Sequence, residues 1–161
     1  EFVRRWGVGL LRDVGLVETA TVADERLAAQ WTASRSGIPE KFETFARERP
    51  VLQTPAIQTT LEAAIALESG SPIIDCSNLI PTGKTDHTGI SPVRRSGGHA
   101  TAITGVRWRN GRPDFRYTNS WSDEWGDGGG VWIVENDLQA ILDQNDSFAF
   151  AGIGGLAPQK L

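Results

Sequence analysis

A chain of 161 residues, 39% hydrophobic and 22% charged, has the size and balance of one globular domain with a real core. No apolar run approaches the roughly 20 residues of a membrane span, and a net charge of −4 gives a nucleic acid nothing to hold. The only cysteine, Cys76, excludes an internal disulfide. The first eleven residues carry two arginines but no small-residue cleavage site, so a signal peptide is not expected and the chain is expected to be soluble. There is no methionine, so the chain is expected to be a processed product or a portion of a longer protein.

In chain order, 22–31 has strong helix formers with apolar residues on one side. Ser36-Gly37-Ile38-Pro39 breaks that pattern. Pro39 suits the first turn of a second helix, with Phe42 and Phe45 as its buried stripe, ended by Arg49-Pro50. Pro50-Val51-Leu52 is a short extended piece. The stretch 59–67 predicts a helix capped by Thr59, with Leu61, Ala64 and Ile65 on its inner face, stopped at Ser69-Gly70-Ser71. A short buried strand is expected over 71–76, then a long surface loop from Ser77 to Gly97, rich in Gly, Pro, Ser and Thr. His99–Trp108 reads as a strand, Arg109-Asn110-Gly111 as a turn, and Arg112–Asn119 as the returning strand. After the glycine-rich bend 126–130 come a strand over 131–134, a helix to Leu142 capped by Asn136 or Asp137 with Leu138, Ile141 and Leu142 inward, and a last strand over 147–153. The organisation expected is one α+β domain over 1–161, helical over 1–58 and β-rich over 59–155. The six tryptophans are expected mostly in the core or in pocket walls.

Two motifs carry chemistry. Gly98-His99-Ala100-Thr101-Ala102-Ile103-Thr104-Gly105-Val106 is similar to the strand bearing the catalytic histidine of papain-like cysteine peptidases. Twenty residues on, Asn119-Ser120-Trp121-Ser122-Asp123-Glu124-Trp125-Gly126 resembles the asparagine–serine–tryptophan signature of the same family. Clear resemblance runs from about Thr59 to Val134. It implies a papain-like fold, an antiparallel, barrel-like sheet lobe with packed helices, and the hydrolysis of peptide bonds in a peptide or protein substrate. It also implies roles: His99 as general acid and base, Asn119 as its orienter, Trp121 as a lid over their hydrogen bond, and Trp125 on the leaving-group side of the cleft. Gly98 and Ala100 would flank the substrate. The chemistry is coherent, because a thiol is a poor nucleophile until deprotonated, and an imidazole held in one tautomer by a neutral amide can deprotonate it.

The hairpin must place the pair. A two-residue turn at Asn110-Gly111 sets Asn119 opposite Ala102, facing away from His99. A three-residue turn, Arg109–Gly111 with Gly111 left-handed, sets it opposite Thr101, with the Cβ atoms of His99 and Asn119 roughly 7–8 Å apart. The expectation is therefore the longer turn. His87, in Asp86-His87-Thr88-Gly89, is the rival, but Ile90-Ser91-Pro92 after it cannot form the required core strand; it is expected to be an exposed loop residue.

The family's nucleophile, at the head of a long helix with a glutamine before it, has no counterpart in residues 1–75, and Cys76 is expected to be structural. An upstream lobe or partner chain would then complete the site. The competing reading is a catalytically silent module in a larger assembly such as a virus particle; the composition hints at a bacterial or phage source. A cell-wall amidase is a weaker alternative. No cofactor is expected. Asp123, Glu124 and Asp127 lack calcium-loop spacing, no zinc pattern occurs, and the 126–130 glycines precede a strand and no lysine, unlike a phosphate loop.

Overall fold

The computed structural model describes residues 44, 47, 48 and 50–153. The helices expected over 22–31 and after Pro39 lie outside the described residues or nearly so. The chain divides into two compact units, and the site lies in the one spanning Gln53–Ala151. The rest of the described chain contributes to a two-stranded pairing of β1 (Val51–Gln53) with β7 (Ala151–Ile153).

The central element is a five-stranded sheet in the order β5-β4-β3-β2-β6, every neighbouring pair antiparallel. Its strands are β2 (Ile73–Pro81), β3 (Val93–Arg109), β4 (Arg112–Thr118), β5 (Gly130–Val134) and β6 (Ser147–Ala149). Helices α1 (Thr60–Glu68) and α2 (Glu135–Leu142) pack against it. The core is the inner face of that sheet, where Ile73, Ile103, Phe115, Tyr117, Val131 and Ile133 are sealed. Alternation along each strand explains it: Phe115 and Tyr117 point in, while Arg116 between them does not.

Helix α1 starts at a reciprocal cap. Thr59 accepts from the Glu62 backbone N–H, and the Glu62 carboxylate accepts from the backbone of Gln58 and Thr59, which lowers its pKa. Its inner face differs from expectation. Ala63 and Ala64 are buried, whereas Leu61 and Ile65 are 66% and 60% exposed. Two alanines present little bulk, so the helix turns its small side toward the sheet. In α2, Leu138, Ile141 and Leu142 are fully buried as expected, but the N-cap is Val134 without a side-chain cap, in place of Asn136 or Asp137.

The expected loop over 77–97 is strand at both ends, over 77–81 and 93–97, with the connection confined to 82–92. β2 continues to Pro81 and pairs Leu79, Ile80 and Pro81 with Arg95, Arg94 and Val93. On β3 these rungs carry the exposed Arg94 and Arg95 beside a half-buried Val93, so the apolar periodicity that signals a strand is missing. The remaining connection attaches to the β5 edge, where Ser91 N–H donates to the Trp132 carbonyl and Trp132 N–H to the Gly89 carbonyl. His87 is exposed there. The last strand is interrupted at Phe150, giving β6 and β7.

Candidate active site

The turn between β3 and β4 has two residues. Asn110 (φ 52°) and Gly111 (φ 76°) are both left-handed, which is the tight hairpin turn matched to strand twist. The longer turn is thus not formed. Near the turn, Arg109 pairs with Arg112 and Gly105 with Arg116. Beyond it the ladder slips: Ile103 pairs with Tyr117 and Ala102 with Thr118, leaving Thr104 as an extra residue. This bulge restores the register the longer turn would have produced, and the next step of the ladder sets Asn119 across from Thr101.

His99 and Asn119 meet. His99 Nε2 lies 3.0 Å from Asn119 Oδ1, which also accepts the Ser120 backbone N–H at 2.8 Å. A backbone N–H can only donate, so the amide atom facing it is the oxygen. Nε2 must therefore carry the proton it gives to Oδ1, and Nδ1 is the free ring nitrogen. Trp121 stacks on the imidazole, with ring centroids 5.1 Å apart and planes inclined by 24°, and Trp125 meets Trp121 edge-on at 5.7 Å. The bond from Asn119 N–H to the Gly129 carbonyl closes the loop that carries both indoles.

Gly83 is a supporting residue that sequence reasoning missed. Its φ is +79°, and a Cβ there would lie 2.5 Å from Trp125 Nε1, so the 82–92 connection lies flat against the indole only because residue 83 has no side chain. The Thr-Gly-Lys context offers no signal for this beyond the glycine itself. Of the four described tryptophans none is fully buried: Trp108 and Trp121 are exposed, and Trp132 and Trp125, the latter packed against the core, are half-buried. Trp132 instead carries the Arg107 guanidinium 4.3 Å above its ring.

A shallow pocket of about 470 Å³ is lined by Cys76, Asn78, Gly98, His99, Ala100 and Gln144, among others. Gly98 and Ala100 are both exposed at its wall. Cys76 is exposed too, not a core residue. It pairs with Ala100 while His99 pairs with Ser77, so the pleat sends thiol and imidazole to opposite sides of the sheet. Partial burial and the nearby Asp146 and Asp75 carboxylates push the thiol pKa up, away from the thiolate. Among the described residues no three His, Cys, Asp or Glu side chains converge as metal ligands would, and no helix is long and apolar enough to cross a membrane.

No protein-family model matches this chain, and comparison with curated proteins finds no match. Solved structures do match. The chain is similar to the clostridial cysteine protease Cwp84 after propeptide cleavage, at 14% identity and a TM-score of 0.60, over 97% of this chain and 40% of that one. It is also similar to xylellain, a cysteine protease from Xylella fastidiosa, at 16% identity and a TM-score of 0.59, over 97% of this chain and 59% of that one. At such identity the likeness is one of fold: sheet and helices form a lobe of the papain-like cysteine protease type. The chain spans 40% and 59% of the length of these two structures.

Proposed function

We propose that this chain supplies the acid–base half of a papain-like, thiol-dependent peptide hydrolase, with the nucleophilic cysteine contributed from outside residues 1–161. The observation that carries this reading is the 3.0 Å contact of His99 Nε2 with Asn119 Oδ1 under the Trp121 indole. With Nε2–H committed to the amide, Nδ1 is the atom able to take a thiol proton. The thiolate then attacks the scissile carbonyl carbon, and the imidazolium returns the proton to the leaving amine nitrogen as the C–N bond breaks. Water, deprotonated by the same nitrogen, hydrolyses the thioester and restores the thiol. Gly98 and Ala100, small and exposed beside His99, leave room for an extended substrate backbone, and Trp125 would stand on the leaving-group side.

A second reading, a catalytically silent module used for binding within a larger assembly, is favoured by one observation. The chain's own thiol is turned from His99 and its pKa is raised. One experiment separates the two. The whole natural polypeptide containing this chain is treated with an epoxysuccinyl thiol probe and assayed on a fluorogenic peptide. Labelling and turnover that survive Cys76→Ser but are lost in His99→Ala support the peptidase. Absence of both in the whole polypeptide, or labelling abolished by Cys76→Ser, rejects it.

A further inference from the structure

The β2–β3 ladder breaks directly beside His99. Ser77 pairs with His99 and the next rung joins Leu79 to Arg95, so Asn78 alone faces Ser96, Gly97 and Gly98. Those three residues are exposed, and a Cβ on either glycine would meet nothing within 4 Å, so β3 bows away from β2 there. His99 is the first residue back in register. The ladder to β4 begins only at Ala102, so Ser77 is the one ladder partner of residue 99 among the described residues. The backbone of His99 is therefore placed by Ser77.

Ser77 in turn is held by a side chain from the turn after α2. Gln144 Nε2 donates to Ser77 Oγ at 2.8 Å, and Gln144 Oε1 accepts the Asn78 backbone N–H at 3.0 Å. A backbone N–H only donates, so Asn78 fixes which way this amide points. Ser77 Oγ also accepts the Leu79 N–H at 2.8 Å and donates to the Leu79 carbonyl at 3.3 Å. The one proton and both lone pairs of this buried hydroxyl are thus engaged. The Asn78 and Leu79 N–H groups are satisfied by side chains, and neither draws a carbonyl from the bowed segment of β3. The turn that presents Gln144 is itself pinned to β2: Cys76 N–H donates to the Asp146 carbonyl at 3.0 Å, and Ser147 Oγ to Asp75 Oδ1 at 2.9 Å.

We propose that Gln144 is a positioning residue for His99: its amide holds Ser77 and the bulge at Asn78, and so sets where the imidazole meets Asn119 Oδ1. This rests on the reading of His99 and Asn119 as acid–base machinery. Without Gln144, the half-buried Asn78 N–H loses its acceptor. An unpaired N–H away from water costs as much as a lost hydrogen bond, which drives it toward the carbonyls of residues 96–98 across the ladder. The bow is then drawn in and His99, at its end, moves with it. The contact it serves tolerates little movement, since Nε2 and Oδ1 are 3.0 Å apart and a hydrogen bond is lost beyond about 3.5 Å.

The test is NMR of the chain itself, in which only His87 and His99 contribute imidazole signals. In the wild type, neutral His99 should carry its proton on Nε2 alone, and the Asn78 backbone amide should be protected from hydrogen exchange. Gln144→Met keeps the side-chain length and removes both bonds. It should speed Asn78 exchange by about tenfold, the order of one hydrogen bond, and populate the Nδ1–H tautomer of His99. Gln139→Met is the control: the Gln139 amide bonds Gln58, Thr60 and Asp143 and none of β2, so its loss should leave the His99 signals unchanged. A folded Gln144→Met with a single Nε2–H tautomer, whatever its melting temperature, overturns the proposal, as does an equal change in Gln139→Met. Should Gln144→Met not fold, the wild type decides: an Asn78 amide exchanging as freely as Gly97 and Gly98 overturns the proposal, and a protected one in contact with the Gln144 amide supports it. The tautomer readout needs no nucleophile. Failure of thiol labelling with a moving tautomer removes the peptidase alone, and the reverse result removes only the positioning role.

Discussion

The hydroxyls of Thr104 and Thr118 lie 2.8 Å apart at the place where the β3–β4 ladder slips by one residue. Ile103–Tyr117 and Gly105–Arg116 are already in phase on either side of the slip. Deleting Thr104 therefore leaves them as consecutive rungs, with Thr101 still across from Asn119. The expected result is an intact His99–Asn119 bond, read as an unchanged imidazole tautomer, with stability within about 1 kcal/mol of wild type because Thr104 is exposed. Loss of the tautomer would show that the bulge does more than take up a residue.

Gly83 tests the indole arrangement from the opposite side. Gly83→Ala combines a left-handed backbone with a Cβ that would meet Trp125 at 2.5 Å. Overpacking and backbone strain together should cost about 1–3 kcal/mol. Because Trp125 abuts Trp121 edge-on, the tryptophan fluorescence of the folded variant should change as well. Denaturant titration and emission spectra check both.

Asp75 makes stability depend on pH in a direction opposite to that of a salt-bridged acid. Its folded pKa, about 6, is above the ordinary 3.8. The folded state thus favours the protonated carboxyl. Its contribution is fully present below about pH 4, falls as pH rises, and is lost above the folded pKa near 6. The difference is on the order of 3 kcal/mol. Asp75→Asn keeps an acceptor for Ser147 and removes the titration, so it should gain on wild type by up to about that amount between pH 4 and pH 7. Equal pH slopes for the two proteins in chemical denaturation would refute this.

Trp121 is 55% exposed, so Trp121→Ala should change stability by less than about 1 kcal/mol. It uncovers the Nε2–Oδ1 bond to water. On the peptidase reading, turnover by the whole polypeptide should fall by about tenfold, the order of one weakened hydrogen bond. Asn119→Ala, which frees the ring to rotate, should cost on the order of 10²-fold. Steady-state kinetics on one peptide substrate would rank the two.

What the sequence disclosed and what it hid follow from the same physics. The paired strands were legible over 99–108 and 112–119 because β-branched and aromatic residues flank an Asn-Gly pair, although the turn between them has two residues and not the three expected. The inward face of α2 was legible for a related reason, since Leu138, Ile141 and Leu142 recur at the right period. The α1 face was misread because Leu61 and Ile65 outweigh alanines in any hydrophobic count, yet packing here selects for smallness. The outer rungs of β2 and β3 were missed because the arginines and glycines on the β3 side stay in solvent, while the buried residues are confined to Ile80, Pro81 and their neighbours on β2. The meeting of residues 99 and 119 could be anticipated, but its device could not. Both a longer turn and a bulge add one residue to the count, and only the three-dimensional ladder says where it goes. The buried carboxylate at residue 75 carries no local signal, since an aspartate in a strand gives no hint that both neighbouring rungs are polar.

The tight Asn110-Gly111 turn has a consequence for how such a centre comes into being. Imidazole and carboxamide ride on the two arms of one ribbon, so zipping that ribbon from its tip brings them face to face over a loop of only twenty residues. Contacts this local close early and cheaply during folding. The proton-handling partners can thus be assembled before, and apart from, whatever thiol they come to serve, as a preformed socket awaiting its plug.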